Sequence, residues 1–114
     1  MAGRVIHIPF REDMQAAILR GAKTMTTRSK RYGEVGDFFK LGGRFYRLVS
    51  VRRVELGAIA HAYYRQEGCA TPAEFRDIWA RIHPRKGWTP MEKKWLHEFR
   101  DATQEIREEH KVYA

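Results

Sequence analysis

A chain of 114 residues and 13.5 kDa is long enough for one hydrophobic core and too short for a large multi-domain enzyme. With 43% apolar and 32% charged residues and a mean hydropathy of −0.62, it is neither an integral helical membrane protein nor collagen-like, and full disorder is disfavoured. Residues 1–60 hold 12 basic and 5 acidic side chains, so they carry +7 of the net +8, and Arg outnumbers Lys 15 to 7. That bias fits an anionic partner such as RNA or a nucleotide, and fits solubilising charge equally well.

Arg4 to Phe10 reads as a short first strand that Pro9 ends or confines to an edge. Met14, Ala17 and Ile18 recur at helical spacing, which predicts a helix from Glu12 to Arg20 stopped by Gly21. Lys23 to Arg31 is polar and Thr-rich, a strand or a loop. After a turn over Gly33 to Gly36, Phe38 to Lys40 begins a strand, Leu41-Gly42-Gly43 makes a hairpin break, and a long β-prone run follows to Val54. Leu56, Ile59, Ala60 and Tyr63 predict a second helix closed by Glu67-Gly68. Thr71-Pro72-Ala73-Glu74 is a capping box, and Phe75, Ile78, Trp79 and Ile82 line one face of a third helix up to Pro84. Lys94 to Phe99 alternates as a closing strand, and the residues from Asp101 onward form a polar tail helix or a frayed end. The order β-α-β-β-α-α-β-α fits a small α+β domain on a curled mixed sheet or barrel with flanking helices.

Several chemistries are set aside by pattern. His7, His61, His83, His97 and His110 have no HxxxH spacing and no CxxC exists, so no metal site is expected. Nucleotide P-loop, GxSxG and Gly-rich dinucleotide patterns are missing, and no cofactor is expected. The lone Cys69 excludes an intramolecular disulfide framework and fits a reducing cytoplasm. It reads either as a small core residue or as a nucleophile. Met1 to Val5 lacks the apolar core of a signal peptide.

The unusual stretch is Gly21-Ala22-Lys23-Thr24-Met25-Thr26-Thr27-Arg28. It suits a solvated edge strand, with Thr for β propensity and Lys as an edge guard. It also suits a base and a nucleophile, if burial or a cation such as Arg28 keeps Lys23 neutral. In a regular strand Lys23 and Thr26 point to opposite faces, so they converge only if the chain turns or bulges.

This stretch resembles the GxKTxTxR signature of ASCH domains, which have the PUA-like fold. Phe10-Arg11-Glu12-Asp13, Ile18-Leu19, Val35-Gly36-Asp37, Gln66-Glu67, the Phe75-to-Pro84 helix and Glu98-Phe99 match in order, so the resemblance covers about residues 4–100. It implies an ASCH/PUA-like domain over 1–100 followed by a polar helical extension over 101–114. The subgroup most similar is the small bacterial N4-acetylcytidine amidohydrolases. The resemblance implies Lys23 as general base, Thr26 as nucleophile and Glu67 as general acid or proton shuttle, with Arg28 and Thr24 binding substrate and no metal. Glu67 falls at an expected helix C-terminus, where the macrodipole disfavours a carboxylate. Ala22 and Thr27 depart from the subgroup, as do a longer Arg85-to-Trp95 segment and the polar tail, which leaves the substrate open. Trp88 and Trp95 read as a pocket rim or as a packed surface loop. The competing reading is a PUA-like RNA-binding module, with or without ribonuclease activity, that holds phosphates with Arg44, Arg47, Arg52 and Arg53. The partner is therefore a modified nucleoside or RNA, in the cytoplasm and away from membranes.

Overall fold

The computed structural model describes residues 3–111. Helix α1 spans Glu12–Leu19, α2 Leu56–Ala62, α3 Pro72–Ile82 and α4 Thr103–His110; strands β1 Met25–Arg28, β2 Phe38–Leu41, β3 Arg44–Glu55 and β4 Lys93–Asp101 form one curled sheet in the order β1-β4-β3-β2. All three strand pairings are antiparallel. Gly42 and Gly43, both at positive φ, make the two-residue turn between β2 and β3 that the strand twist demands. None of the described helices is long and apolar enough to cross a membrane.

The sheet is covered on both faces. Met25 and Leu96 meet Leu56, Ile59, Phe75 and Trp79 from α2 and α3 on one side. Phe39, Tyr46, Leu48 and Phe99 meet Ile8 and Ile18 on the other. The expected first strand reduces to a parallel bridge between Val5 and Phe38, with hydrogen bonds from Ile6 N to Phe38 O and from Phe38 N to Arg4 O. Beyond it the chain crosses the sheet face to bury Ile8, and Pro9 has no N–H to extend a ladder.

Helix α3 starts as its capping box requires, with Thr71 Oγ1 accepting from Glu74 N at 3.1 Å. Helix α2 ends at Ala62, five residues before Glu67, so Glu67 lies in the following turn and not at a helix terminus. The reason is tertiary: the Gln66 carbonyl accepts the N–H groups of Thr24 and Met25 at 2.8 and 3.0 Å, which pins this turn to the start of β1. The tail is a docked helix. Ile106 is buried with Phe38 and Ala102, and Thr103 Oγ1 accepts from Phe45 N at 2.9 Å.

Candidate active site

Three segments distant in sequence meet at edge strand β1. After Gly21 the chain folds back, and the N–H groups of Ala22 and Lys23 both reach the Ala17 carbonyl. Lys23 therefore precedes the regular strand, and the alternation rule does not bind it. Its Nζ is buried and donates to the Glu67 carbonyl at 2.8 Å and to Glu67 Oε1 at 3.2 Å, while Thr27 Oγ1 donates to Glu67 Oε2 at 2.6 Å. Gly68, at φ +93, lets this turn approach closely, since a Cβ there would sit 3.3 Å from the Lys23 Cβ.

Thr26 projects from the opposite face of β1 to Met25 and Thr27. Arg28, two residues on, shares that face. Its Nε donates to Thr26 Oγ1 at 3.0 Å and its Nη2 to the Pro9 carbonyl at 2.6 Å. The guanidinium lies over the rings of Phe10 at 4.9 Å and Tyr32 at 5.5 Å. Burial pulls the Arg28 guanidinium below its usual range, against the opposing pull of Tyr32 and Glu67.

Because β1 is an edge, one cavity of about 570 Å³ wraps around it and is bordered by Lys23, Thr26, Thr27, Arg28 and Glu67 together. Its far wall is α3. Phe75, Trp79 and His83 stand at i, i+4 and i+8 as a ladder of near-parallel rings, 6.5 Å and 4.0 Å between centroids, both at 22°. The site is thus polar on the strand side and aromatic on the helix side.

No protein-family model and no curated protein matches the sequence. Solved structures do match. The chain is similar to an ASCH domain from Lactobacillus crispatus JV V101 at TM-score 0.67 and 13% identity, covering 88% of this chain and 79% of that one. It is similar to an ASCH protein of Zymomonas mobilis carrying a serine-to-alanine substitution, at TM-score 0.61 and 16% identity, covering 85% and 68%. A protein of Enterococcus faecalis V583 assigned to a domain family of unknown function aligns at TM-score 0.60 and 13% identity over 89% and 80%. The chain has the ASCH-domain fold.

Within this ASCH fold the signature residues separate. Lys23, Thr26, Arg28 and Glu67 share the cavity, but Thr24 does not: it borders a small separate cleft with Leu19, Tyr46 and Arg100. Thr24 secures the strand through its backbone, donating to Gln66 O and accepting from Phe99 N at 2.9 Å. Thr27, noted in sequence only as a departure, is the hydroxyl that holds Glu67. His97, weighed in sequence only for metal spacing, also belongs to the site. It is fully buried opposite Thr26 in the β1–β4 register. Tyr32 N donates to its Nε2 at 3.1 Å, so the proton is assigned to Nδ1, which faces the Thr26 carbonyl at 3.3 Å. Burial, with Arg28 and Arg31, holds the imidazole below its ordinary pKa despite these hydrogen bonds, so it is a neutral clamp on Thr26. The only signal for it was its place in an alternating strand.

Cys69 borders the cavity, yet burial first, then Glu74 and Glu67, push its thiol up to about 11 against the pull of Lys23. A thiol in that state is not a nucleophile at neutral pH. Trp88 packs edge-on against Phe75 with centroids 6.2 Å apart, and neither it nor Trp95 borders the cavity.

The four arginines expected to share a phosphate track do not form one. Arg47 is 3% exposed and is taken by Glu105 (2.6 Å), Glu109 (2.7 Å) and the Gly36 carbonyl (3.1 Å). It cannot reach a phosphate, because α4 docks over it. Arg44 is paired with Asp101 at 2.6 Å. Arg52 and Arg53 are neighbours on β3 and point to opposite faces, Arg52 over Tyr63 and Arg53 over Trp95.

Proposed function

We propose that the chain is an amidohydrolase that removes the acyl group from N4-acetylcytidine or a related N4-acylated cytidine. The observation that carries this reading is the convergence of Lys23, Thr26 and Glu67 on one cavity, with the Thr26 hydroxyl already bonded by Arg28. Lys23 Nζ and Glu67 Oε1 stand 3.2 Å apart, close enough to exchange a proton directly, so the pair holds the base and the acid that an amide hydrolysis requires. Thr27, on Oε2, keeps Oε1 turned toward Lys23.

Lys23 and Thr26 border the same cavity from different faces of β1, so the Lys23 amine takes the Thr26 proton through a water in that cavity, and Oγ1 attacks the acyl carbon. The Arg28 Nε–H stabilises the charge that develops on that oxygen. The tetrahedral adduct breaks its C–N bond as the Glu67 carboxyl protonates N4, releasing the cytidine amine. Water hydrolyses the Thr26 ester and frees the carboxylic acid. The cytosine ring lies against the aromatic wall that Phe75, Trp79 and His83 give the cavity.

The test is a chromatographic assay of N4-acetylcytidine hydrolysis. The wild type should release cytidine, Thr26→Ser should keep part of the rate, and Thr26→Ala should lose it. Absence of hydrolysis by the wild type rejects the activity. A Thr26→Ala variant at near-full rate rejects the covalent route and leaves Lys23 activating water directly.

A further inference from the structure

Three strands present a row of side chains on one face. In the antiparallel registers, Arg28 of β1 is opposite Trp95 of β4, and Trp95 is opposite Arg53 of β3. Directly paired residues share a face and neighbouring strands lie about 4.8 Å apart, so Arg53 stands about 10 Å across the sheet from Arg28. The row begins inside the cavity, because Arg28 borders it. Arg31, from the loop after β1, completes the group. The guanidinium carbons of Arg31 and Arg53 are each 5.4 Å from the centroid of the same Trp95 ring.

Two like charges on one indole repel each other, yet neither has a carboxylate within ion-pair distance among the described residues. Each is oriented by one backbone carbonyl, Arg31 Nε on Gly33 O at 3.1 Å and Arg53 Nη2 on Lys93 O at 2.9 Å. Each therefore keeps four of its five N–H donors for a ligand. Both side chains are exposed. Lys30, at the cavity rim and 4.7 Å from the Tyr32 ring centroid, is also without an acidic partner among the described ion pairs.

We infer that the Arg31–Trp95–Arg53 group binds the phosphodiester backbone of a single RNA strand, so that the acylated cytidine in the cavity is read as a residue of RNA and not only as a free nucleoside. The inference rests on the reading of the cavity as a cytidine-amide site. A strand that continues from a nucleoside seated there past Arg28 meets Lys30 at the rim and then Arg31 and Arg53 beyond it. Cations with free N–H donors neutralise the phosphates of a flexible strand, and an aromatic ring between them fixes their positions. Arg52, adjacent on β3 but on the opposite face and bonded to the Tyr63 hydroxyl at 3.1 Å, is a charge-matched control.

The experiment uses a labelled oligoribonucleotide of about ten nucleotides with one central N4-acetylcytidine. Binding is followed by fluorescence anisotropy between about 50 and 200 mM salt, and deacetylation is followed for the oligonucleotide and for the free nucleoside. Arg31→Ala/Arg53→Ala should bind RNA about tenfold more weakly and flatten the log–log salt slope by about 1.4, the value for two lost single-strand phosphate contacts. Its kcat/KM should fall in parallel on the oligonucleotide and stay at the wild-type value on the nucleoside. Arg52→Ala should change neither. Equal weakening by Arg52→Ala would reduce the effect to general charge and overturn the inference, as would a double variant that binds like the wild type. If the wild type deacetylates the nucleoside but does not bind the oligonucleotide at low salt, the RNA surface fails and the hydrolase reading stands. If it deacetylates neither substrate, the hydrolase reading fails, and with it the claim that this strand delivers an acylated cytidine.

Discussion

Among the described residues, two buried cations, Lys23 and Arg47, are each held in a cluster by carboxylates. In one, Lys23 meets Glu67 and the Thr27 hydroxyl. In the other, Arg47 meets Glu105, Glu109 and a backbone carbonyl. The first opens on a cavity of about 570 Å³ with an aromatic wall; the second lies beneath α4 against the ring of Phe38, at 5.6 Å. The cations also differ. Arg47 keeps its proton in any ordinary setting, and its fork fixes a helix to a sheet by bidentate geometry. An ammonium can give its proton to the carboxylate beside it, and a neutral amine is then a base. The difference teaches that burial of an ion pair marks chemistry only where the pair can change protonation state and where a substrate can reach it.

The largest effect should come from dismantling the first cluster as a unit. In Lys23→Met/Glu67→Gln the charges leave together, so no lone buried charge remains and the fold should survive. Turnover of the acylated cytidine should fall by about 10²–10⁴-fold, the contribution of a general acid–base group. Thermal melting beside the activity assay checks both halves, and a fully active double variant would place the chemistry elsewhere.

Next is Arg47→Met. It removes the Arg47 donors from the Gly36 carbonyl, Glu105 and Glu109, and we expect a loss of about 2–3 kcal/mol in urea unfolding. The kcat/KM on free N4-acetylcytidine should not change. A matching loss of activity would mean that the two clusters communicate.

Acid should weaken the second cluster and the separate Arg44–Asp101 pair. Hydrogen bonding to Arg47 holds Glu109 down to about 2. Burial pushes Asp101 up, but the Arg44 and Thr103 hydrogen bonds outweigh it and leave it at about 2. Hydrogen bonding to Arg100, and then Arg47, lowers Glu105 against burial. Unfolded carboxylates titrate near about 4. A depressed folded pKa stabilises the fold above that value, and the stabilisation fades as pH falls from about 4.5 toward 2. Circular dichroism across this window should show unfolding that is shallower in Arg47→Met.

The smallest effect concerns Cys69, which reads the electrostatics of the first cluster without taking part in it. With its thiol at about 11, alkylation by iodoacetamide should be slow at pH 7.5 and should accelerate steadily with rising pH. Glu67→Gln removes one of the negative charges that raise the thiol, so alkylation should quicken modestly at a given pH. Rapid alkylation of the wild type near neutrality would contradict the environment described for this cavity.

Much of the architecture could be read directly from local pattern. The capping box at Thr71, the Gly42-Gly43 hairpin and the apolar spacing of α1 and α3 are short-range features, fixed by backbone sterics, capping and period. The signature from Lys23 to Arg28 and the turn at Gln66-Glu67 were visible as residues, and so was the resemblance they carry. The sequence alone determined which side chains were available for chemistry and roughly which element each would occupy. Tertiary structure decided which of them meet. Glu67 is 44 positions from Lys23, and only the pairing of Gln66 with the start of β1 brings the two together. It also decided that Thr27 and not Thr24 reaches the carboxylate, and that α2 stops before Glu67. Arg47 became a buried anchor because α4 lies over it, while Arg53, on the same strand, stays exposed beside Trp95. Period tells which face a side chain takes; what covers that face is set by contacts between distant segments, whose pairing is selected by burying apolar surface and satisfying backbone hydrogen bonds throughout the chain.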